Sequence, residues 1–174
     1  MNDKLTEALN NIEITYKELI EISNSFTKSI FDPIDQLVND ISLNINSMSI
    51  DQLRNYMLQL QLKAYSISEI KEKAALKAEI ADSLQKEKFA INFTTADGSV
   101  GNKTNSAQIA VSQEIVSKTL YELVANLLKT KVDQLHRLVA VLTSTLMSRM
   151  SEAKFMNLGV TNEIPATTNG KVQL

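Results

Sequence analysis

The sequence predicts an all-α protein with two long helices at its centre. Only 4 of its 174 residues are Gly and only 2 are Pro, so few residues interrupt helices. No Gly or Pro occurs from Ile50 to about Ile91, where helix formers dominate, or again from Ala107 to Met156. We therefore expect two long helices joined by a Gly/Asn loop, preceded by a helical N-terminal region.

Residues 1–48 predict this N-terminal region, which we expect to contact other subunits or a partner. Apolar residues recur there at spacings of three and four, so they form one stripe on a helix over residues 5–31: Leu5, Leu9, Ile12, Tyr16, Leu19, Ile22, Phe26 and Ile30. Asp32 and Pro33 are expected to end this helix, because Asp caps free N–H groups and Pro fits the first turn of a new helix. The new helix has its own stripe: Ile34, Leu37, Val38, Ile41 and Ile45.

Residues 49–157 predict a long helical hairpin. Ser49 begins its first helix, because Gln52 three residues later completes a capping-box pattern. The connecting loop is expected at residues 93–106, where two Gly residues lie among Thr, Asp and Asn. The second helix is expected to run without a break.

Two segments at the ends of these helices are less regular. Residues 89–93 fit either a short strand or the frayed end of a helix. Gly159 is expected to stop the last helix, since Gly is common just after a helix end. Residues 158–174, which include Pro165 and Gly170, are expected to form a C-terminal tail.

The composition argues against enzyme chemistry. The chain has no Cys, which excludes disulfides, thiol nucleophiles and Cys-ligated metals. His136 is the only histidine, which excludes multi-His metal sites and most catalytic triads within one subunit. The segment from Gly98 to Gly101 is not followed by the Lys-Ser/Thr pair of a phosphate-binding loop. We therefore expect a non-enzymatic protein that needs no metal or other cofactor.

Charge is distributed unevenly along the chain, whose formal net charge is −2. Residues 1–62 carry nine acidic and four basic residues, whereas residues 63–174 carry eleven and fourteen. An anion-binding role is therefore expected in the second part. No apolar run approaches the roughly 18 residues of a membrane span, and residues 1–15 lack the core of a signal peptide. A cytoplasmic protein without a membrane partner is expected.

A row of lysines on the first long helix is the strongest candidate for anion binding. Lys73, Lys77 and Lys88 share one side of the predicted helix, and such a row can follow a phosphate backbone. The alternative is a solvated face with i,i+4 ion pairs, such as that between Glu69 and Lys73. The nearest aromatic residues that could stack on bases are Tyr65 and Phe89.

The last long helix is apolar over nearly half of its circumference, so it must be covered on more than one side. We infer homo-oligomer contacts for its leucines, with coverage by the N-terminal helices as the alternative. Arg149 lies near the edge of the apolar arc, where an arginine pairs or binds an anion. The leucines assigned to the oligomer interface are Leu127, Leu138, Leu142 and Leu146.

Two short motifs on these helices resemble those of the phage recombination mediators of the UvsY family. Lys73-Ala-Ala-Leu-Lys-Ala-Glu79 resembles a Lys-Lys-x-Ala-Leu-Lys-Ala-Arg motif on that family's long helix. Arg149-Met-Ser-Glu-Ala-Lys-Phe-Met-Asn-Leu-Gly159 resembles the Arg…Ile-Lys…Phe…Gly pattern that ends its last helix. The order and approximate spacing of the motifs agree over residues 50–159.

The resemblance implies a protein that binds single-stranded DNA and the single-strand-binding protein, and that helps to load a RecA-like recombinase. It also implies rings of six or seven subunits, no nucleotide or metal, and a phage-infected or bacterial host cell. Lys77 stands at a DNA-contacting position of the motif, whereas Glu79 replaces a basic residue. DNA contact is therefore also expected of other cations: Lys73, Lys88, Lys103, Arg149 and Lys154.

A second function fits the same helices without any DNA. Long apolar helices with mixed charge are also expected of a structural or interaction protein, such as a phage virion or assembly component, or a small helical inhibitor. Alanine substitutions at Lys73, Lys77 and Lys88 distinguish the two functions, because only the first depends on these charges.

Overall fold

Four helices make up the part of the chain that the structure describes. The computed structural model describes the backbone of residues 2–160 and the side chains of residues 15–156. Over these residues there is no strand, so the predicted all-α class is confirmed, and the segment 89–93 is helical. The helices are α1 (Asn2–Asn44), α2 (Ile50–Thr95), α3 (Val100–Ala110) and α4 (Ser112–Val160).

Helices α2 and α4 form an antiparallel hairpin. Ion pairs join Asp82 to Lys118 and Lys88 to Glu114, so positions rise along one helix as they fall along the other. Ala residues on the inner face of α2 keep the side chains between the helices small: Ala64, Ala74, Ala78 and Ala81. The fully buried large residues come from both helices: Leu53, Leu60, Ile67, Leu128, Leu135 and Leu142.

The beginning of α2 follows the predicted pattern. The Ser49 hydroxyl accepts a hydrogen bond from the Gln52 backbone N–H at 3.2 Å, and the Gln52 side chain accepts one from the Ser49 N–H at 2.7 Å. The predicted capping box is therefore confirmed. It starts α2 directly after the turn that follows α1. Asp35 pairs with Lys131 and the Ile45 carbonyl with Arg149, so α1 runs parallel to α4 and opposite to α2.

The predicted break at Asp32 and Pro33 is wrong, because α1 continues through Pro33. Pro33 lies on the exposed side of α1, so its ring points away from the neighbouring helices. Ile34, the next residue, and Ile41, about two turns further on, are 1% and 0% exposed. Their burial favours a continuous helix and offsets the hydrogen bond that proline removes.

The connection after α2 is much shorter than the predicted loop at residues 93–106. Helix α2 runs to Thr95, and the connection is the short segment 96–99, where Gly98 has a positive φ of 104°. The rest folds as α3, which packs on α2. The Ser99 side chain caps α3, while Ala107 and Val111 are almost completely buried.

The last helix differs from the prediction at both ends. The helix expected from Ala107 onward is interrupted at Val111, whose φ and ψ are −105° and 9°. The described part of α4 runs to Val160 and includes Gly159, where the stop was predicted. Of the predicted tail 158–174, residues 161–174 lie outside the described residues. Within residues 2–160, none of the helices has the length and apolar character required to cross a membrane.

Candidate functional site

A pocket of about 210 Å³ brings two of the predicted DNA-binding lysines together with two aromatic residues. Lys73 and Lys77 lie one turn apart on the same side of α2. Phe26 reaches the pocket from α1 and Tyr121 from α4. The remaining lining is apolar: Ile70, Ala74, Leu120 and Val124.

The two lysines of this pocket differ in their partners. The Lys73 ammonium lies 2.6 Å from Glu69 Oε1, as the i,i+4 alternative predicted, and donates a hydrogen bond that lowers the pKa of Glu69. Both side chains are mostly exposed, so this pair is weak. The Lys77 ammonium lies 5.2 Å from the centroid of the Tyr121 ring. Among the side chains that the structure describes, Lys77 has no ion pair, so its charge is available to an anion.

The sequence did not predict that Phe26 and Tyr121 are the aromatic residues beside the lysines. Phe26 is 65% exposed and Tyr121 is half-buried, so both rings can be reached from solvent. The two aromatic residues expected near the lysines lie elsewhere. Tyr65 is exposed on the outer side of α2, and Phe89 stacks on Phe93 with ring centroids 6.2 Å apart. Local spacing could not reveal the pocket, because its aromatic residues belong to two other helices.

Lys88 does not extend the row of free charges. Its ammonium forms an ion pair with Glu114, whose side chain is only 11% exposed. This hydrogen bond lowers the pKa of Glu114. Lys88 therefore helps to fasten α2 to α4, and a phosphate would have to compete with a largely buried carboxylate for it.

The other predicted cations are far from the pocket. Lys103 lies on α3, near the end of α2, and Lys154 is exposed near the opposite end of the bundle. The Arg149 guanidinium donates hydrogen bonds to the carbonyls of Ile45 and Asn46, at 2.7 and 2.8 Å. These carbonyls follow the last turn of α1, where a cation is favourable. The structure therefore brings together Lys73 and Lys77 but not the other four.

Arg149 is expected to stabilise the fold. Removing its guanidinium leaves two carbonyls without charged donors, so Arg149→Ala should lower the free energy of unfolding by about 2 kcal/mol. Denaturant titration measures this loss. Arg137→Ala is the matched control, since Arg137 is exposed on the same helix. Equal stability of the two variants would contradict a capping role for Arg149.

Three of the four leucines assigned to an oligomer interface, Leu138, Leu142 and Leu146, belong to or pack against the core of the chain. Leu142 and Leu146 are 0% and 8% exposed in the core shared by α2 and α4. Leu138 packs beside Val38 of α1, and Leu127 is half-buried. Helix α1 thus covers a second side of α4, as the alternative predicted.

Large exposed apolar side chains lie instead along the outer side of α2. These side chains are 44–76% exposed: Leu58, Leu62, Tyr65, Leu76, Ile80, Leu84 and Ile91. Leu58 and Leu76 are each two residues, or about 200° around the helix, from the buried Leu60 and Ala78. A stripe of this length on one helix face is typical of an interaction surface. We call it the outer α2 stripe.

A second, larger pocket of about 660 Å³ is built on an ion-pair cluster. Asp82 accepts hydrogen bonds from Lys118 at 2.7 Å and is paired with Lys86 at 2.6 Å. The hydrogen bond from Lys118, followed by that from Lys86, lowers the pKa of Asp82 from 3.8 to about 2. Asp82 raises the pKa of Lys118 in turn. The charges of this cluster are thus satisfied within the chain.

This cluster predicts a pH dependence of stability. The pKa of Asp82 is lower in the folded chain than in the unfolded chain, so its stabilising effect is complete above pH 3.8 and is lost towards pH 2. The melting temperature of the wild type should therefore fall more steeply over this range than that of Asp82→Asn. Asp133→Asn, at an exposed position of α4, is the control. Parallel curves for Asp82→Asn and the wild type would contradict the assignment.

The described side chains include no cluster suited to a metal ion. Over residues 15–156, no three His, Asp or Glu residues lie where they could hold a metal ion. No protein-family model, curated protein or solved structure matches the chain.

Proposed function

We propose that this chain is a non-enzymatic recombination mediator that binds single-stranded DNA and helps to load a RecA-like recombinase in place of single-strand-binding protein. The observation that carries the DNA-binding part is the pocket in which Lys73 and Lys77 lie beside Phe26 and Tyr121. Sequence-independent binding of single strands needs this combination, because lysines attract phosphates while aromatic rings stack on bases of any kind. The role in recombinase loading rests on the resemblance of the two motifs.

Each subunit offers a small DNA site. Each lysine–phosphate contact on a single strand changes log K by about −0.7 per tenfold rise in salt. Two lysines therefore give a slope of about −1.4, which corresponds to weak binding per subunit. Linked copies of the site bind one strand far more tightly without new contacts. A ring of six or seven subunits supplies such copies, and we assign its contacts to the outer α2 stripe.

A helical assembly protein without DNA binding is the second candidate. It is favoured by the internal partners of the cations: Glu69 pairs with Lys73, Glu114 pairs with Lys88, and backbone carbonyls hold Arg149. If these contacts use most of the positive charge, the outer α2 stripe is the main functional surface. Its partner is then a protein.

One experiment separates the two candidates. The purified protein is mixed with a labelled poly-thymidine oligonucleotide at low and moderate salt and passed over a size-exclusion column with light scattering. We expect an oligomer that carries the oligonucleotide at low salt and releases it as salt rises. An assembly that ignores the oligonucleotide at every salt concentration would exclude the mediator and leave the assembly protein.

A further inference from the structure

The candidate pocket is apolar at its floor and charged at its rim. Its most buried lining residues, Ala74 of α2 and Val124 of α4, are 6% and 8% exposed. The rim carries the Lys73 side chain, which is 68% exposed, and the Phe26 ring, which is 65% exposed. A base that enters this pocket loses water from its faces, whereas the sugar and phosphates attached to it stay at the solvated rim.

The main-chain polar atoms around the pocket are used inside the helices. Every lining residue lies at least two turns from the ends of α1, α2 or α4. At such positions the backbone N–H and C=O groups pair with each other along the helix. Contacts with a bound strand therefore come from the lining side chains.

These side chains act on the parts of a strand that DNA and RNA have in common. The ammonium groups of Lys73 and Lys77 attract phosphate oxygens, and an ammonium acts as a point charge without a preferred direction. Phe26 and Tyr121 present ring faces, on which a base of any kind stacks. Phosphates and base faces are alike in the two polynucleotides.

The sugar carries the difference that a protein can recognise. The 2′-hydroxyl of RNA is both a donor and an acceptor, and hydrogen bonds to it let a protein tell RNA from DNA. Among the lining side chains that the structure describes, Tyr121 has the single uncharged polar group, its hydroxyl. At the open rim a 2′-hydroxyl keeps its water, so its presence costs no desolvation.

We propose that this pocket binds single-stranded RNA as tightly as single-stranded DNA. The inference rests on the proposed function and widens the class of ligand for the same site to single-stranded polynucleotides with either sugar. Single strands are favoured over duplexes, because a base must leave its stack to lie against Phe26 and Tyr121. RNA therefore competes with DNA for the two lysines.

Oligouridine and oligo-deoxyuridine of equal length test this inference, because they carry the same base and differ at the 2′ position alone. Fluorescence anisotropy of the two labelled oligonucleotides at low salt gives their affinities. We expect dissociation constants within about threefold of each other and the same salt slope of about −1.4 per site.

Three variants locate the contacts. Phe26→Ala should weaken both oligonucleotides by the same factor, about tenfold, because the ring stacks on the base and not on the sugar. Tyr121→Phe removes the hydroxyl and keeps the ring, so the ratio of the two affinities should not change. Lys63→Ala, at an exposed position of α2, is the control and should leave both affinities near those of the wild type.

Three results would overturn the inference. The first is a difference of about tenfold or more between the two oligonucleotides, whichever binds better. The second is a Phe26→Ala variant that weakens DNA but not RNA, because the RNA would then lie outside the pocket. The third is a ratio that changes in Tyr121→Phe. A protein that binds neither oligonucleotide at low salt would instead overturn the proposed function itself.

Discussion

Replacing Lys73 and Lys77 together with alanine is expected to lower the affinity for a poly-thymidine oligonucleotide by about 25-fold per site at 0.1 M salt. The reason is the loss of two phosphate contacts, each contributing about 0.7 to the slope of log K against log salt. The slope per site should fall by about 1.4. Fluorescence anisotropy of a labelled oligonucleotide over a series of salt concentrations measures both quantities.

The controls for this variant separate charge from stacking and from folding. Lys63→Ala removes one exposed charge from the same helix, three turns from the pocket, and should change affinity little. Phe26→Ala should weaken binding at every salt concentration and leave the slope unchanged, because a ring contributes no counterion release. All variants change exposed positions, so their unfolding free energies should stay within about 0.5 kcal/mol of the wild type. A double lysine variant with unchanged affinity would contradict the assigned site.

Replacing Leu142 with alanine is expected to lower the free energy of unfolding by about 3 kcal/mol. Leu142 is 0% exposed, and its removal leaves a cavity between α2 and α4. Denaturant titration at a fixed protein concentration measures the loss. Light scattering of the folded variant should give the wild-type mass, because the side chain packs inside one chain.

The neighbouring residue provides the control. Val141 is 53% exposed, so Val141→Ala should cost much less than Leu142→Ala. A lower mass for Leu142→Ala at unchanged stability would return Leu142 to the oligomer interface that the sequence predicted. Light scattering of Leu76→Glu, a substitution in the outer α2 stripe, tests whether the subunits meet at that stripe.

The parts of the fold that follow from local chemistry could be predicted from the sequence. The all-α class follows from the scarcity of Gly and Pro, and the start of α2 follows from the pairing of Ser49 with Gln52. Contacts between distant parts of the chain decided the rest. Pro33 does not end α1, because Ile34 stays on the buried stripe. Residues 100–106 of the expected loop belong to α3, because this helix continues to Ala107, which is completely buried.

The candidate site, too, could be predicted from the sequence only where it depends on local spacing. The lysine row follows from helical spacing, and so does the ion pair between Glu69 and Lys73. The pocket requires three helices to meet, since Phe26 and Tyr121 are separated from the lysines by more than 40 residues. The capping contacts of Arg149 depend on where α1 ends. Neither the pocket nor the capping contacts of Arg149 could be derived from spacing along a single helix.

A single tryptophan tests most directly whether the pocket is a DNA site. The chain has no native Trp, so Phe26→Trp places one fluorophore at the pocket, and Tyr65→Trp places one on the outer α2 stripe as control. Titration with poly-thymidine at low salt should quench the emission of Trp at position 26 by stacking, and added salt should restore it. The control emission should stay unchanged. Unchanged emission at position 26, while anisotropy shows that the oligonucleotide is bound, would place the DNA elsewhere and contradict the account.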